Sequence, residues 1–102
     1  MNPAFGEWIE HIERGKTRGY EQVEACAKCK SGERIVQYAL RKRGGRYQAY
    51  FFAVDTNEMD RAEDAAEESL LEFDRLQEAL GSLQSRGAEF SRFAPFKGQQ
   101  PF

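Results

Sequence analysis

The sequence predicts an α+β domain: a small antiparallel sheet packed on a long C-terminal helix, with a short helix before it and an extended aromatic tail behind. Three observations predict it. Residues 34–43 and 46–54 are strand-forming runs that flank Gly44-Gly45, residues 56–86 carry apolar side chains at helical spacing, and the whole chain has 102 residues. With 40% hydrophobic and 13% aromatic residues, a chain of that length fills one core and not two.

The first element is a helix over residues 3–14. Asn2 suits its cap, Pro3 its first position and Gly15 its stop, while Phe5, Trp8, Ile9 and Ile12 fall on one face. Residues 17–31 read two ways. Their composition favours helix, but Val23, Ala25 and Ala27 alternate as in a strand. A strand over 19–28 is the better reading, because a lone two-stranded hairpin is marginal in water.

Two consecutive glycines supply the positive φ angles of a two-residue hairpin turn. That turn sets Leu40 opposite Ala49, Tyr38 opposite Phe51 and Val36 opposite Ala53, giving one apolar face. The other face carries Ile35, Gln37, Ala39, Arg41 and Arg43 beside Arg46, Gln48, Tyr50, Phe52 and Val54. Asp55 and Glu58 fit a capping box for the next element, and Val54 with Met59 fits a staple around it. Met59, Ala62, Ala66, Leu70, Phe73, Leu76, Leu80 and Leu83 then form one helical stripe, ended by Gly87 or earlier by Gly81. The domain therefore spans residues 1–87. Residues 88–102, with Phe90, Phe93, Phe96 and Phe102 among Pro95, Gly98 and Pro101, read as an extended tail.

The net charge of −2 hides a segregation. Residues 11–50 hold ten Lys/Arg against four Glu, whereas residues 51–90 hold eleven acids against three Arg. No run of about 18 apolar residues is present to span a membrane. The N-terminal stretch lacks the apolar region of a secretory signal, and two cysteines without such a signal point to a reducing cytoplasm.

Catalytic patterns are sparse. Gly15-Lys16-Thr17 matches the end of a phosphate-binding loop, but position 10 is Glu where the motif needs Gly, and a helix precedes it. Cys26 and Cys29 form a CxxC, the weak metal candidate. Structural zinc takes four ligands and the chain adds only His11, so two reduced thiols are the favoured reading. His11 sits four residues after Glu7, a spacing for a surface pair, and no nucleophile or paired carboxylate is assigned to it.

Binding surfaces are better supported. Asp60, Glu63, Asp64, Glu67, Glu68, Asp74 and Glu78 cover the side of the 56–86 helix away from its apolar stripe. With Leu71 among them they suit a basic partner protein, although such charges on helices ordinarily meet only water. Phe93 and Phe96 suit a partner's groove or, more economically, this protein's own core. Arg41, Arg43 and Arg46 with Tyr50 and Phe52 suit phosphates and stacked bases of a nucleic acid, unless the first helix or the tail covers that face.

The element order helix, strand, hairpin, helix over residues 3–80 resembles that of double-stranded RNA-binding domains, and its strand-strand-helix part resembles small DNA-binding domains of phage integrases. In the RNA-binding family the second helix opens with lysines that face phosphate. Here the matching stretch is Glu58-Met-Asp-Arg-Ala-Glu-Asp, which repels RNA. The expected function is thus a non-enzymatic accessory or regulatory protein acting through protein contacts, as a monomer or homodimer, without cofactor or small-molecule substrate. Nucleic-acid binding is the alternative.

Overall fold

The computed structural model describes residues 3–61 and 66–95, with 3–7 and 59–61 described by backbone alone. In chain order it contains helix α1 (Pro3–Glu13), strands β1 (Arg18–Ala25), β2 (Glu33–Arg43) and β3 (Arg46–Asp55), a 3-10 turn (Thr56–Arg61), strand β4 (Glu67–Phe73), helix α2 (Leu76–Ser85) and a short 3-10 turn (Phe90–Arg92). The four strands form one antiparallel sheet in sequence order.

The β2–β3 hairpin has the register that its turn dictates, with Leu40 against Ala49, Tyr38 against Phe51 and Val36 against Ala53. Gly44 and Gly45 adopt φ of 62° and 79°, the left-handed pair that a side chain would strain. The ambiguous segment before the hairpin is a strand, β1, which sets Tyr20 against Tyr38. Both helices stop as their glycines predict. After α2, Gly87 N–H donates to the Gln84 carbonyl and Ala88 N–H to Leu83, which satisfies two end carbonyls. The same pattern closes α1 through Gly15 and Lys16 onto Ile12 and His11.

The core lies between one face of the sheet and everything helical. Val36, Tyr38, Leu40, Ala49, Phe51 and Ala53 are buried there with Ile12, Trp8, Ala79 and Leu83. An aromatic row crosses it: Trp8 to Phe93 at 4.9 Å between ring centroids, Phe93 to Tyr20 at 5.7 Å, Tyr20 to Tyr38 at 5.2 Å and Tyr38 to Phe51 at 5.6 Å. The hydroxyls at the edge of this row are used. Tyr38 donates to the Arg86 carbonyl at the end of α2, and Tyr20 accepts from Glu89 N–H. Burial, the larger influence, pushes the Tyr38 phenol up to about 12.

The long helix over 56–86 is not what the chain forms. Asp55 does cap the next element, accepting from Asn57 N–H at 2.8 Å, but that element is a six-residue 3-10 turn kinked at Glu58. Residues 67–73 are then a strand, and helix resumes only for the ten residues of α2. The physical reason is β3, whose outer edge has a full row of backbone groups to satisfy. Pairing Tyr47–Ala53 with Phe73–Glu67 outweighs the weak helix preference of the acidic stretch. In the stripe, Leu76, Leu80 and Leu83 keep their helical roles, whereas Leu70 and Phe73 point to opposite sides of the sheet or its core. The fourth strand also departs from the architecture of double-stranded RNA-binding domains.

Residues 88–95 belong to the domain, not to a detached tail. Ala88 and Phe93 are buried, and Ala94 pairs with Gly19 through two hydrogen bonds of 3.0 Å on the outer edge of β1. Phe96 and Phe102 lie outside the described residues. The position of Gly19 is unusually tight, since a Cβ there would lie 1.8 Å from the Tyr38 carbonyl oxygen. Gly81, in the middle of α2, has nothing within 4 Å of such an atom. In urea denaturation, Gly19→Ala is expected to destabilise by about 3 kcal/mol, the upper end of overpacking. Gly81→Ala is expected to stabilise by about 0.5–1 kcal/mol, because it restores helix propensity without a clash.

Candidate functional surfaces

The strand assignment of residues 67–73 redistributes the acidic residues expected on one helical arc. By strand alternation, Glu67, Ser69, Leu71 and Phe73 face the helical side, and Glu68, Leu70 and Glu72 face the other. Glu67 accepts from Arg86 at 2.5 Å, and Glu68 accepts the Tyr50 hydroxyl at 2.6 Å. Asp74, past the strand, pairs with Arg46 at 3.3 Å. Glu78 is exposed on α2. The Asp60 side chain and the whole of Asp64 lie outside the described residues. No single acidic face therefore unites them. What the strand does bring together is Leu70 and Leu71, 50% and 45% exposed on opposite faces, bordered by Glu67, Glu68 and Glu72. Among the described residues β4 has β3 on one side and no strand on the other.

Phe93, expected at a partner's groove or in the core, is 6% exposed and sits against Trp8 and Tyr20. Self-packing is the reading the structure supports, so Phe93 is removed from the contact surface.

The basic residues divide. On the side of the sheet away from the core, Phe52 is half-buried with Gln37 and Glu68 as its cross-strand neighbours. Tyr50 is buried, and its phenol is raised strongly, first by burial and then by Glu68. The first helix does not cover this face, because α1 packs on the core side through Trp8 and Ile12. Arg43 and Arg46 are the directly paired residues that close the hairpin, where like charges repel. Asp74 takes Arg46 and relieves the repulsion.

Arg41 and Arg43 instead join a group that the sequence did not single out. The loop from Gly15 to Arg18 runs beside the end of β2, and a Cβ added to Gly15 would stand 3.7 Å from the Lys42 carbonyl. Residues 15–18 and 41–43 together line a cleft of about 430 Å³. Five of those seven side chains are Lys or Arg. Lys42 is paired with Glu13 at 3.1 Å, and Tyr47 donates to the same carboxylate at 2.6 Å. The Tyr47 bond leads in holding the Glu13 carboxyl below its ordinary range, with Lys42 assisting against burial. Arg41 donates to Gln48 at 2.6 Å, and burial, then the nearby Arg43, lowers its guanidinium. Lys16, Arg18 and Arg43 enter no ion pair among the described residues. The carbonyl end of α1 opposes an anion here, but a helix end is worth only about 0.3–1 kcal/mol and two of its carbonyls are already bonded. The lining cations outweigh it even with Lys42 held by Glu13. A run of bases at 41–43 was visible in the sequence; its meeting with Lys16 and Arg18 required β1 to be placed.

Cys26 and Cys29 are joined as a disulfide in the loop between β1 and β2, which corrects the reading of two separate thiols. Asp55 fastens this loop to the sheet. Its carboxylate accepts from Lys30 N–H at 2.6 Å and from the Ser31 hydroxyl at 2.8 Å. No group of three or more metal-binding side chains occurs among the described residues. His11 and the cysteines lie at opposite ends of β1, whose eight residues span about 26 Å. They do not form one site.

No protein-family model, curated protein or solved structure matches the chain. No helix among the described residues is long and apolar enough to cross a membrane.

The cysteine loop is open to two measurements. Asn57 leads in lowering the Asp55 carboxyl, with Ser31 and Lys30 adding to it. A lowered folded-state pKa means that this anchorage is complete above the unfolded carboxylate value and is lost as pH falls through the folded one. Amide protection at Lys30 and Asn57 is therefore expected at neutral pH. It is expected to persist at about pH 4, where an ordinary aspartate is half protonated, and to be lost only at lower pH, with Asp55→Ala losing it at all pH values. Reducing the disulfide, which closes a four-residue ring, is expected to cost at most about 2 kcal/mol in urea denaturation.

Proposed function

We propose that the chain is a non-enzymatic accessory protein that docks an extended, basic segment of another protein along the β4 edge. The observation that carries this reading is the pair Leu70 and Leu71, half-exposed on both faces of an outer strand and flanked by Glu67, Glu68 and Glu72. Single exposed leucines are ordinary. Two on an edge strand offer an anchor above and below an incoming backbone, which takes its hydrogen bonds from the edge. The acids select its charge and speed its arrival.

A second copy fits less well than a basic segment. Two β4 strands paired antiparallel about Leu70 would set Glu68 of one copy against Glu72 of the other, and like charges opposite each other destabilise a sheet. The nucleic-acid reading of Tyr50 and Phe52 loses ground for a related reason. Their stretch of sheet is bordered by Glu21 and Glu68, which repel phosphate. As for location, a persistent Cys26–Cys29 disulfide suits an oxidising compartment and a reduced pair the cytoplasm.

A display selection of ten-residue segments against the protein tests the docking surface. Lys/Arg-rich segments with a central apolar residue are expected to be enriched. Their affinity is expected to fall tenfold or more on Leu70→Lys with Leu71→Lys, while circular dichroism stays unchanged because both positions are exposed. Segments that bind the double variant as tightly as the parent would remove β4 as the site.

A further inference from the structure

We infer that the cleft between residues 15–18 and 41–43 binds a compact ligand carrying adjacent phosphate groups, such as the diphosphate or triphosphate portion of a nucleotide. The cleft is separate from the β4 edge and does not depend on it.

The cleft has the size of a small-ligand site, about 430 Å³ against a usual lower bound of roughly 300 Å³. Its lining is unusual in composition. Lys16 and Arg18 come from the loop after α1, Arg41, Lys42 and Arg43 from the end of β2, and only Gly15 and Thr17 are uncharged. Lys42 has a carboxylate partner in Glu13, whereas Lys16, Arg18 and Arg43 have none among the described residues. A protein surface ordinarily intersperses its charges, and this chain has an overall excess of acids with which to do so. Concentrating cations around one concavity raises the local concentration of anions and focuses the field into the cavity.

The ligand chemistry follows from the side chains. Guanidinium groups present planar forks that match two oxygens of a phosphate, and Lys16 supplies a mobile point charge at the rim. Arg18 is steadied by donating to the Thr17 carbonyl at 2.8 Å, and Arg41 by donating to Gln48 at 2.6 Å. They come from neighbouring strands at one end of the sheet, Arg18 with Leu40 and Lys42 on the helical side and Arg41 with Arg43 on the other, so a ligand with two linked phosphates lying across that end can address both sides. Thr17, also in the lining, is buried.

The surroundings favour a compact ligand over a nucleic-acid strand. On the face that Arg41 and Arg43 share, the row beyond Arg41 runs through Gln48 to Glu72. The row through Gln37 and Phe52 ends in Glu21 and Glu68. A polyphosphate chain leaving the cleft along either of these rows would meet a carboxylate. The next cation, Arg46 opposite Arg43, is already held by Asp74.

Titration of the isotope-labelled full chain at low salt, followed by amide shifts, tests this. Inorganic pyrophosphate, tripolyphosphate and ATP are expected to give saturable shifts at residues 15–18 and 41–43, with AMP at least tenfold weaker. Arg43→Gln and Lys16→Gln, both at exposed positions, are each expected to weaken binding about tenfold, whereas Arg75→Gln leaves it unchanged. ATP binding much tighter than tripolyphosphate identifies a nucleotide; equal binding identifies the phosphates alone as the ligand. Absence of saturable shifts in the cleft with any of the three overturns the inference. A single-stranded oligonucleotide that binds there more tightly than tripolyphosphate also overturns it, in favour of nucleic acid. The Leu70→Lys, Leu71→Lys variant is expected to bind pyrophosphate normally, which separates this result from that of the edge strand.

Discussion

Tyr38 is the residue on which the arrangement depends. Its ring is fully buried at the centre of the sheet, between Tyr20 of β1 and Phe51 of β3, and its hydroxyl reaches the carbonyl of Arg86 where α2 ends. One side chain thus ties two neighbouring strands and the terminus of a helix 48 residues further along the chain. The end of α2 is then held by both the glycine closure and this bond. Arg86, kept in place, lies over the Phe51 ring at 4.8 Å and reaches Glu67 on β4. The edge strand and the aromatic core are therefore joined through the same corner. A tyrosine in this place combines a large apolar surface with a donor for a carbonyl that the helix cannot satisfy.

Much of this could be read from the residues, and the failures have physical causes. The hairpin was legible because Gly44-Gly45 permits few alternatives and fixes the register for ten residue pairs. The helix stops at Gly15 and Gly87 were legible for the same local reason. The stretch 56–73 was not. Its apolar residues fit a helical stripe, yet Ser69, Leu71 and Phe73 also alternate as a strand does, and periodicity cannot choose between the two. The choice is made at a distance, by an edge of β3 that needs a partner. The acidic surface moved with that choice, from a helix face to a sheet edge. The basic cleft was hidden differently: Lys16 and Arg18 lie more than twenty residues from Arg41, and nothing local announces their meeting.

The charge segregation of the sequence becomes a spatial one. Five of the ten basic residues between positions 11 and 50 converge where β1 begins and β2 ends, whereas Glu67, Glu68 and Glu72 occupy the outer strand on the far side of β3. Opposite charges do meet, but selectively. Lys42 finds Glu13, Arg46 finds Asp74 and Arg86 finds Glu67, all pairs at least partly exposed and each worth little by itself. Their effect is on where charge is cancelled and where it survives.

The short bridge between Gly19 and Ala94 gives the sheet two unlike borders. On the β1 side the returning chain occupies the backbone groups at Gly19, and the tight spacing there admits no side chain. On the β4 side no further strand is present among the described residues. A molecule that can be extended from one border alone has a valence of one: whatever adds to it ends the series. Stacking of copies into a fibre needs two receptive borders, and the bridge at Gly19 obstructs the start of one of them.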